Sequence, residues 1–226
     1  MTGAAVEALV VGNDLSRTYG RGPTALVAVH QANCVVHPGD QITLTGPSGS
    51  GKSTLLHLLA GLDTPTTGEV GWPALGGPPA SLAPGAIGLV FQGPSLLPDL
   101  NVIENVALPL VLAGQLNAEA RRRALAVLDE LDLGELADKL PEEISGGQAQ
   151  RASVARALVG QPRLILADEP TGQLDHASAA VVVTLLTGHA VALGAGLVVT
   201  THDPLIADRF DVRWAMVDGR LLPGSS

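Results

Sequence analysis

Residues 46–53 have the types and the spacing of a loop that holds phosphate groups. The run consists of Gly46, Pro47, Ser48, Gly49, Ser50, Gly51, Lys52 and Ser53. Its glycines let backbone N–H groups point at a phosphate, Lys52 supplies positive charge for the β- and γ-phosphates, and the Ser53 hydroxyl suits Mg²⁺. Thr54 adds a second hydroxyl for phosphate. The sequence therefore predicts a nucleotide site here.

Two adjacent carboxylates, Asp168 and Glu169, follow a short apolar run at 164–167. That run is too short for a helix and is typical of a buried parallel strand, whose C-terminal end lies where ligands bind in open α/β sheets. We expect Asp168 to reach Mg²⁺ through water and Glu169 to be the base that orients the attacking water. Helix capping is the alternative role for such a pair.

Gln92 and His202 come just after two further predicted strands, at 87–91 and 197–200. His202 would lie at the same edge of the sheet, within reach of the γ-phosphate. Gln92 would touch Mg²⁺ and the attacking water. Considered alone, His202 would be a turn residue and Gln92 an ordinary polar strand end, but their order and spacing favour the site roles.

Tyr19 is the only tyrosine of the chain and lies in what the sequence predicts to be a polar N-terminal loop. An exposed ring at this position is suited to stacking on adenine. Packing in a small satellite cluster is the competing interpretation.

A second phosphate-binding surface is predicted at Ser145, Gly146, Gly147 and Gln148, which precede a helical run at 149–159. Two glycines after a serine leave backbone N–H groups unshielded at the positive end of a helix. The chain already has a complete phosphate loop. We therefore interpret this surface as serving a nucleotide held by another copy of the protein.

The composition of the 226 residues sets limits on the class of protein. Hydrophobic residues make up 46% and predict a real core, while the net charge of −9 argues against nucleic acid as a partner. The single cysteine, Cys34, is expected to be a small buried hydrophobe. The sequence does not open with the charged and then apolar segments of a secretory signal peptide, so we expect that the protein is not exported. The apolar stretch 179–200 is interrupted by glycines and predicts helix, turn and strand, so any membrane contact would come through a partner.

Strands alternate with helices along the chain, which predicts an α/β fold with a mostly parallel sheet. A helical insertion occupies 102–159, with breaks near Pro109 and at 114–117. Residues 64–85 read as a loop with one short strand at 69–71. The remaining predicted elements are strands at 6–11, 25–36 and 41–45, a helix at 52–60, a helix at 177–187 and a hairpin at 212–222.

The phosphate loop, Gln92, 144–148, 163–169, Asp175 and His202, in this order, resemble the nucleotide-binding domain of an ABC transporter. The resemblance covers roughly residues 9–219. It implies a single ABC ATPase domain over 1–226, of P-loop NTPase fold with a mostly parallel core sheet and an N-terminal antiparallel β-subdomain. A helical subdomain at about 93–160 would be inserted into the RecA-like core.

The resemblance also implies ATP and Mg²⁺ as cofactors and a second copy of the domain as partner. Two such domains close head to tail around two ATP molecules. Ser145 and Gly147 would then contact the γ-phosphate bound by Lys52 of the other copy, and Asp175 would link the two sites. Gln92 and the segment after it would couple ATP binding to transmembrane permease subunits. These subunits would hold the ATPase at the cytoplasmic face of the cell membrane.

Residues 96–106 and 169–175 are similar to those of ATPases of the lipoprotein-release and macrolide-export type. Such ATPases work by mechanotransmission, with permeases that have a large extracytoplasmic domain. The Gly- and Pro-rich stretch 71–85 departs from the family pattern, as do Ile144, Ala149 and Gln173.

Three other function classes compete with a transporter subunit. An ABC ATPase of DNA repair would need long coiled coils, but no sustained heptads occur. An ABC translation factor would need two tandem domains and a basic linker. An ATPase that regulates a cell-wall or division complex without transport is compatible with the same sequence.

Overall fold

The computed structural model describes residues 6–222, which form two sheets and a group of helices. The strands are β1 (Val10–Tyr19), β2 (Leu26–Val36), β3 (Gln41–Thr45), β4 (Thr67–Gly71), β5 (Ile87–Val90), β6 (Leu164–Asp168), β7 (Gly196–Thr200), β8 (Val212–Val217) and β9 (Arg220–Leu222). The helices are α1 (Lys52–Leu59), α2 (Val102–Leu112), α3 (Asn117–Glu130), α4 (Gly146–Leu158), α5 (His176–Leu193) and α6 (Pro204–Ala207).

The larger sheet has the strand order β5-β6-β7-β3-β8-β9, in which all neighbours pair in parallel except β8 and β9. Strand β6 is buried on both faces, as its apolar sequence predicts. Leu164 and Leu166 face the core that contains α1, whereas Ile165 and Ala167 face the core shared with the other helices. Because β3, β5, β6 and β7 are parallel, their carboxyl ends meet at one edge, which is where the predicted site residues lie.

The smaller, antiparallel sheet has the order β2-β1-β4 and corrects two predictions. Its central strand β1 was predicted at 6–11 but spans Val10–Tyr19, so Tyr19 ends a strand and does not lie in a loop. Polar residues, register shifts and the positive φ of Asp14 hide the alternation of β1 in the sequence. Cys34 lies in β2 with its side chain buried in the core, as expected, and burial raises the pKa of its thiol to about 12.

The unusual stretch 71–85 is attached to the core by two side chains. Strand β4 begins at Thr67 instead of residue 69, and 3₁₀ turns follow at Pro73–Leu75 and Pro79–Ser81. Trp72 Nε1 donates to the Leu59 carbonyl at 2.8 Å, and Arg163 donates to the Ala74 carbonyl at 2.6 Å. The stretch is therefore tied both to the end of α1 and to the residue before β6.

Helix α2 runs through Pro109, where the sequence predicted a break. An Asn101–Glu104 capping box starts the helix, and its buried face packs on α3 and α4. Proline removes a single intrahelical hydrogen bond, and Ala113 N still donates to the Pro109 carbonyl at 3.1 Å. The predicted break at 114–117 is confirmed, since Gly114 has a φ of 82° and α3 begins at Asn117.

Helix α5 was predicted to end at residue 187 but continues to Leu193, where Gly194 in the left-handed conformation stops it. Gly188 does not break it. Within residues 6–222, α5 is the one helix whose length and composition would suffice to cross a membrane, which is weak evidence for a span. Its buried residues, with helical spacing, belong to the core: Ala179, Val182, Val183, Leu186 and Ala190.

Candidate nucleotide site

The phosphate loop joins β3 to α1, and close packing requires glycine at two of its positions. Gly46 and Gly51 have φ angles of 148° and 102°. A Cβ on Gly46 would lie 2.2 Å from the Met216 carbonyl oxygen, and one on Gly51 would lie 2.0 Å from the Ala28 carbonyl oxygen. The glycines therefore do more than expose backbone N–H groups, because they also let the loop sit against the strands that flank it.

Lys52 crosses its own loop, where only 5% of the residue is exposed. Its ammonium donates to the carbonyls of Gly46 at 2.9 Å and Pro47 at 3.0 Å. An ammonium has three N–H donors, so one remains for a further acceptor. Ser53 and Thr54 lie in the first turn of α1, where the backbone N–H groups have no intrahelical partner. This end of α1 can bind an anion.

Asp168 and Glu169 are held together by Thr200, a residue that the sequence analysis missed. Thr200 pairs with Asp168 in the β6–β7 register, donates its hydroxyl to Asp168 Oδ1 at 2.6 Å and accepts from Glu169 N at 2.8 Å. Asp168 is 5% exposed, and Glu169 has a φ of 42°. A polar residue at the end of the apolar run 197–199 was the signal that could have identified Thr200.

The structure brings Gln92, Glu169 and His202 together at the predicted edge of the sheet. Gln92 Nε2 donates to Glu169 Oε2 at 3.3 Å, and His202 Nδ1 lies 3.3 Å from the same oxygen. One carboxylate oxygen of Glu169 is thus fixed from two sides while His202 itself remains exposed. This arrangement can orient a water molecule between Glu169 and a bound phosphate.

The segment on both sides of Gln92 is attached to α4 by side chains that the sequence did not point out. Gln150 Nε2 donates to the Phe91 carbonyl at 3.1 Å, and Arg156 Nη1 donates to the Ser95 carbonyl at 2.7 Å. Arg156 also bonds to the Ser95 hydroxyl. Gln92 is therefore linked mechanically to the helix that begins at Gly146.

The Ser145–Gln148 surface forms the N-terminus of α4, as predicted. Ser145 is the N-cap, accepting from Gln148 N at 3.3 Å, while Gln148 Oε1 accepts from Ser145 N at 2.8 Å. Both side chains complete a capping box, yet the hydroxyl proton of Ser145 is left to donate elsewhere. Ser145 and Gly146 are exposed. The amides of Gly146 and Gly147, first in the helix, have no intrahelical acceptor.

Two of the predicted residues, Asp175 and Tyr19, form side-chain hydrogen bonds within this chain. Asp175 is the N-cap of α5: its Oδ1 accepts from Ala177 N and Ser178 N at 3.0 Å, and its Oδ2 accepts from the Ser178 hydroxyl. These hydrogen bonds, chiefly that from the Ser178 amide, lower the pKa of Asp175. Tyr19 is 39% exposed, and its hydroxyl donates to Asp63 at 2.8 Å.

A family model described as "ABC transporter" matches residues 29–172 of this chain. The chain belongs to this family. A lipoprotein-releasing system ATP-binding protein LolD from Pseudomonas syringae pv. tomato is 39% identical over 96% of this chain and 98% of that relative. LolD from Legionella pneumophila is 38% identical over 94% of this chain and 96% of that relative.

Solved structures of ABC cassettes confirm the predicted P-loop NTPase fold of this ABC ATPase. The ATP-binding cassette MJ0796, as a dimer in a post-hydrolysis state bound to ADP and Pi, is 34% identical, with a TM-score of 0.88 over 96% of this chain and 98% of that one. A second dimeric MJ0796 structure has a TM-score of 0.89. The chain is the ATP-binding, ATP-hydrolysing subunit of an ABC transporter.

The donors at the site fit Mg²⁺, the metal that this family implies. The hydroxyl of Ser53, the carboxylate of Asp168 and the amide oxygen of Gln92 are hard oxygen ligands. Among residues 6–222 no group of three or more His, Cys, Asp or Glu side chains is arranged to hold a metal ion. A few protein oxygens supplemented by phosphate and water are what Mg²⁺ accepts, in contrast to an all-protein cage.

Proposed function

We propose that this ABC ATPase powers a lipoprotein-releasing complex. The observation that carries the proposal is its 39% identity to LolD proteins over nearly the whole of both chains. The 96–106 and 169–175 runs support the same subfamily. Residues 1–226 would act as one ABC ATPase domain, with the helical subdomain at about 93–160.

The site residues divide into those that hold ATP and those that act on water. Tyr19 stacks on adenine, the backbone of 46–51 surrounds the β-phosphate, and Lys52 neutralises its charge together with that of the γ-phosphate. Ser53 and Gln92 would hold Mg²⁺, with Asp168 reaching it through water, and the ion would neutralise phosphate charge. Glu169 accepts a hydrogen bond from the attacking water, and Gln92 orients that water. His202 donates a hydrogen bond to the γ-phosphate.

A second copy of this chain completes each site. In the head-to-tail dimer, the Ser145 hydroxyl and the amides of Gly146 and Gly147 donate to the γ-phosphate held by the other copy. The exposed helix N-terminus and the unused hydroxyl proton of Ser145 support this arrangement. Asp175 lies at the start of α5, from where it contacts the opposite site.

The surface beside Gln92 supports coupling to a membrane permease. A groove of about 350 Å³ is lined by Phe91, Leu97, Leu112 and Arg156, among others. Leu97 and Leu112 are 45% and 66% exposed. An apolar groove attached through Arg156 to α4 can transmit movement between a permease segment and the Ser145 surface. The chain would thus be peripheral at the cytoplasmic face of the membrane.

Purification of the tagged chain from native membranes tests the proposal. We expect a permease with a large extracytoplasmic domain to co-purify, and the complex in lipid vesicles to release an acylated lipoprotein when ATP is added. The same complex carrying Lys52→Ala is the matched control and should release none. ATP hydrolysis without release, or a membrane partner of another class, would contradict the proposed substrate.

A further inference from the structure

Tyr19 belongs to a cluster with Arg17 and Asp63 at the end of β1. Asp63 Oδ2 accepts from the Tyr19 hydroxyl at 2.8 Å and from Arg17 Nε at 2.9 Å. Arg17 Nη2 lies 2.7 Å from Asp63 Oδ1, so the guanidinium and carboxylate form a two-point pair. The Arg17 Cζ atom also lies over the Tyr19 ring, 4.7 Å from its centroid.

These contacts fix the ring in two ways. The guanidinium covers one face of the Tyr19 ring, held there by a cation–π interaction. Asp63 anchors the hydroxyl, which removes rotation of the side chain away from the sheet. Since Tyr19 is still 39% exposed, the ring keeps surface for a planar ligand on the side away from Arg17.

Asp63 is itself held firmly by the loop that follows α1. Its Oδ1 accepts from Thr64 N at 2.7 Å, and Thr66 ties the loop to β1 through bonds to Ser16 O at 2.7 Å and from Thr18 N at 3.0 Å. Desolvation opposes ionisation of Asp63, but hydrogen bonds from Tyr19 and Thr64 and the charge of Arg17 outweigh it and lower the pKa of the carboxyl. The anchor is therefore an ionised carboxylate at neutral pH.

We propose that Arg17 and Asp63 are positioning residues that hold the Tyr19 ring ready to stack on the base of the nucleotide. The inference rests on the proposed stacking of adenine on Tyr19. An exposed aromatic side chain loses rotamer freedom when a ligand stacks on it, and this clamp removes that cost before ATP arrives. The clamp joins the strand that carries Tyr19 to the loop after α1, the helix that holds the phosphates.

Asp63→Asn tests the clamp because it keeps an oxygen for the Thr64 amide but removes the charge that pairs with Arg17. We expect the Kd for ATP of the full chain, measured by calorimetry, to rise about 2- to 12-fold, the effect of freeing one side chain. The Kd for inorganic tripolyphosphate, which has no base, should not change. An equal loss for both ligands, or no loss for ATP, would overturn the proposal.

Variants of Tyr19 separate the clamp from the stacking itself. Tyr19→Phe keeps the ring and removes the anchored hydroxyl, so it should reproduce the effect of Asp63→Asn, and the two should not add. Tyr19→Leu, which removes the ring itself, should raise the Kd for ATP more than either Asp63→Asn or Tyr19→Phe. If Tyr19→Leu leaves ATP binding intact, the proposed stacking fails and the clamp with it. If Tyr19→Leu weakens ATP binding but Asp63→Asn and Tyr19→Phe leave the Kd for ATP unchanged, the stacking stands and the positioning role of Arg17 and Asp63 is wrong.

Arg122→Met is the matched control for loss of a charged pair at the surface. Arg122 pairs with Glu119 at 2.6 Å on the exposed face of α3, whereas Arg17 and Asp63 are half-buried, so this variant controls for the loss of surface charge alone. We expect unchanged Kd values for ATP and tripolyphosphate. A rise in the Kd for ATP equal to that of Asp63→Asn would mean that surface charge, not the Tyr19 clamp, is being measured, and would overturn the proposal.

Discussion

Glu169 has surroundings that support its proposed role as the catalytic base. Its φ of 42° is unfavourable for a side chain with a Cβ, at a cost of about 1–3 kcal/mol, and its amide is held by Thr200. Gln92 and His202 fix one carboxylate oxygen. A strained backbone and an oriented carboxylate at the end of a buried strand are what we expect of a residue whose side-chain direction matters for its function.

At the residue scale, Glu169→Gln should lower ATP turnover about 100-fold or more, because the amide has the same size but cannot accept a proton. ATP should still bind, so the variant should form an ATP-dependent dimer that light scattering detects. Phosphate release measures turnover. The exposed Glu135→Gln is the control and should behave as wild type. Normal turnover in Glu169→Gln would show that Glu169 is not the catalytic base.

Individual residues were predictable where their chemistry is local in sequence. Lys52 and Ser53 follow from eight consecutive positions, and Ser145 from four. Thr200 and Asp63 were missed because their partners are distant: Thr200 bonds to Asp168 across 32 positions and Asp63 to Tyr19 across 44. Only the pairing of strands and the path of the loop after α1 brings these residues together.

At the scale of elements, Asn105 fixes the connection between β5 and α2. It is fully buried, accepts from Leu97 N at 2.7 Å and donates to the carbonyls of Leu97, Leu100 and Asn101. One buried side chain thus supplies hydrogen bonds that this irregular segment would otherwise lack. The connection that begins at Gln92 is thereby given a defined shape.

We expect Asn105→Ala to reduce the free energy of unfolding by about 2–4 kcal/mol, because it removes a fully buried side chain together with its four hydrogen bonds to the backbone. Urea unfolding monitored by circular dichroism measures the change. Asn117→Ala, at an exposed position in the first turn of α3, is the control and should stay within about 0.5 kcal/mol of wild type. A similarly small effect at Asn105 would show that water replaces its hydrogen bonds.

Elements were predictable to the extent that their own residues determine them. The short strand at 41–45, rich in β-branched residues, has the predicted bounds. Strand β1 was misplaced because its neighbours β2 and β4, not its own polar sequence, set its length. Helices α2 and α5 pass through Pro109 and Gly188, since packing of their buried faces on the core outweighs the local preferences of these residues.

At the scale of the whole molecule, the two proposed phosphate-binding surfaces lie on different helices, α1 and α4. The first carries Lys52 and the second begins at Ser145. In a symmetric head-to-tail pair each ATP would use one surface from each copy. Two chains that are each inactivated by a mutation in a different surface should therefore form one intact site when they pair.

A mixture of Lys52→Ala and Ser145→Arg chains should regain ATP turnover that neither chain has alone. Random pairing leaves one intact site in half of the dimers, so about a quarter of wild-type turnover is expected for independent sites. Phosphate release from equal mixtures measures it. Mixing Lys52→Ala with a Lys52→Ala, Ser145→Arg double variant is the control and should give none. Absence of rescue where mixed dimers form would place both surfaces on the same ATP in one chain.

The bonds from Lys52 to the Gly46 and Pro47 carbonyls have a kinetic consequence. A loop whose own lysine braces it is already folded when ATP diffuses in, so no slow ordering step precedes capture. Entry should then be nearly the same for all variants outside the loop. Differences in affinity between them should lie in how long ATP stays bound. The affinity of this ATPase for ATP would therefore be set by the dissociation rate of the nucleotide and not by its association rate.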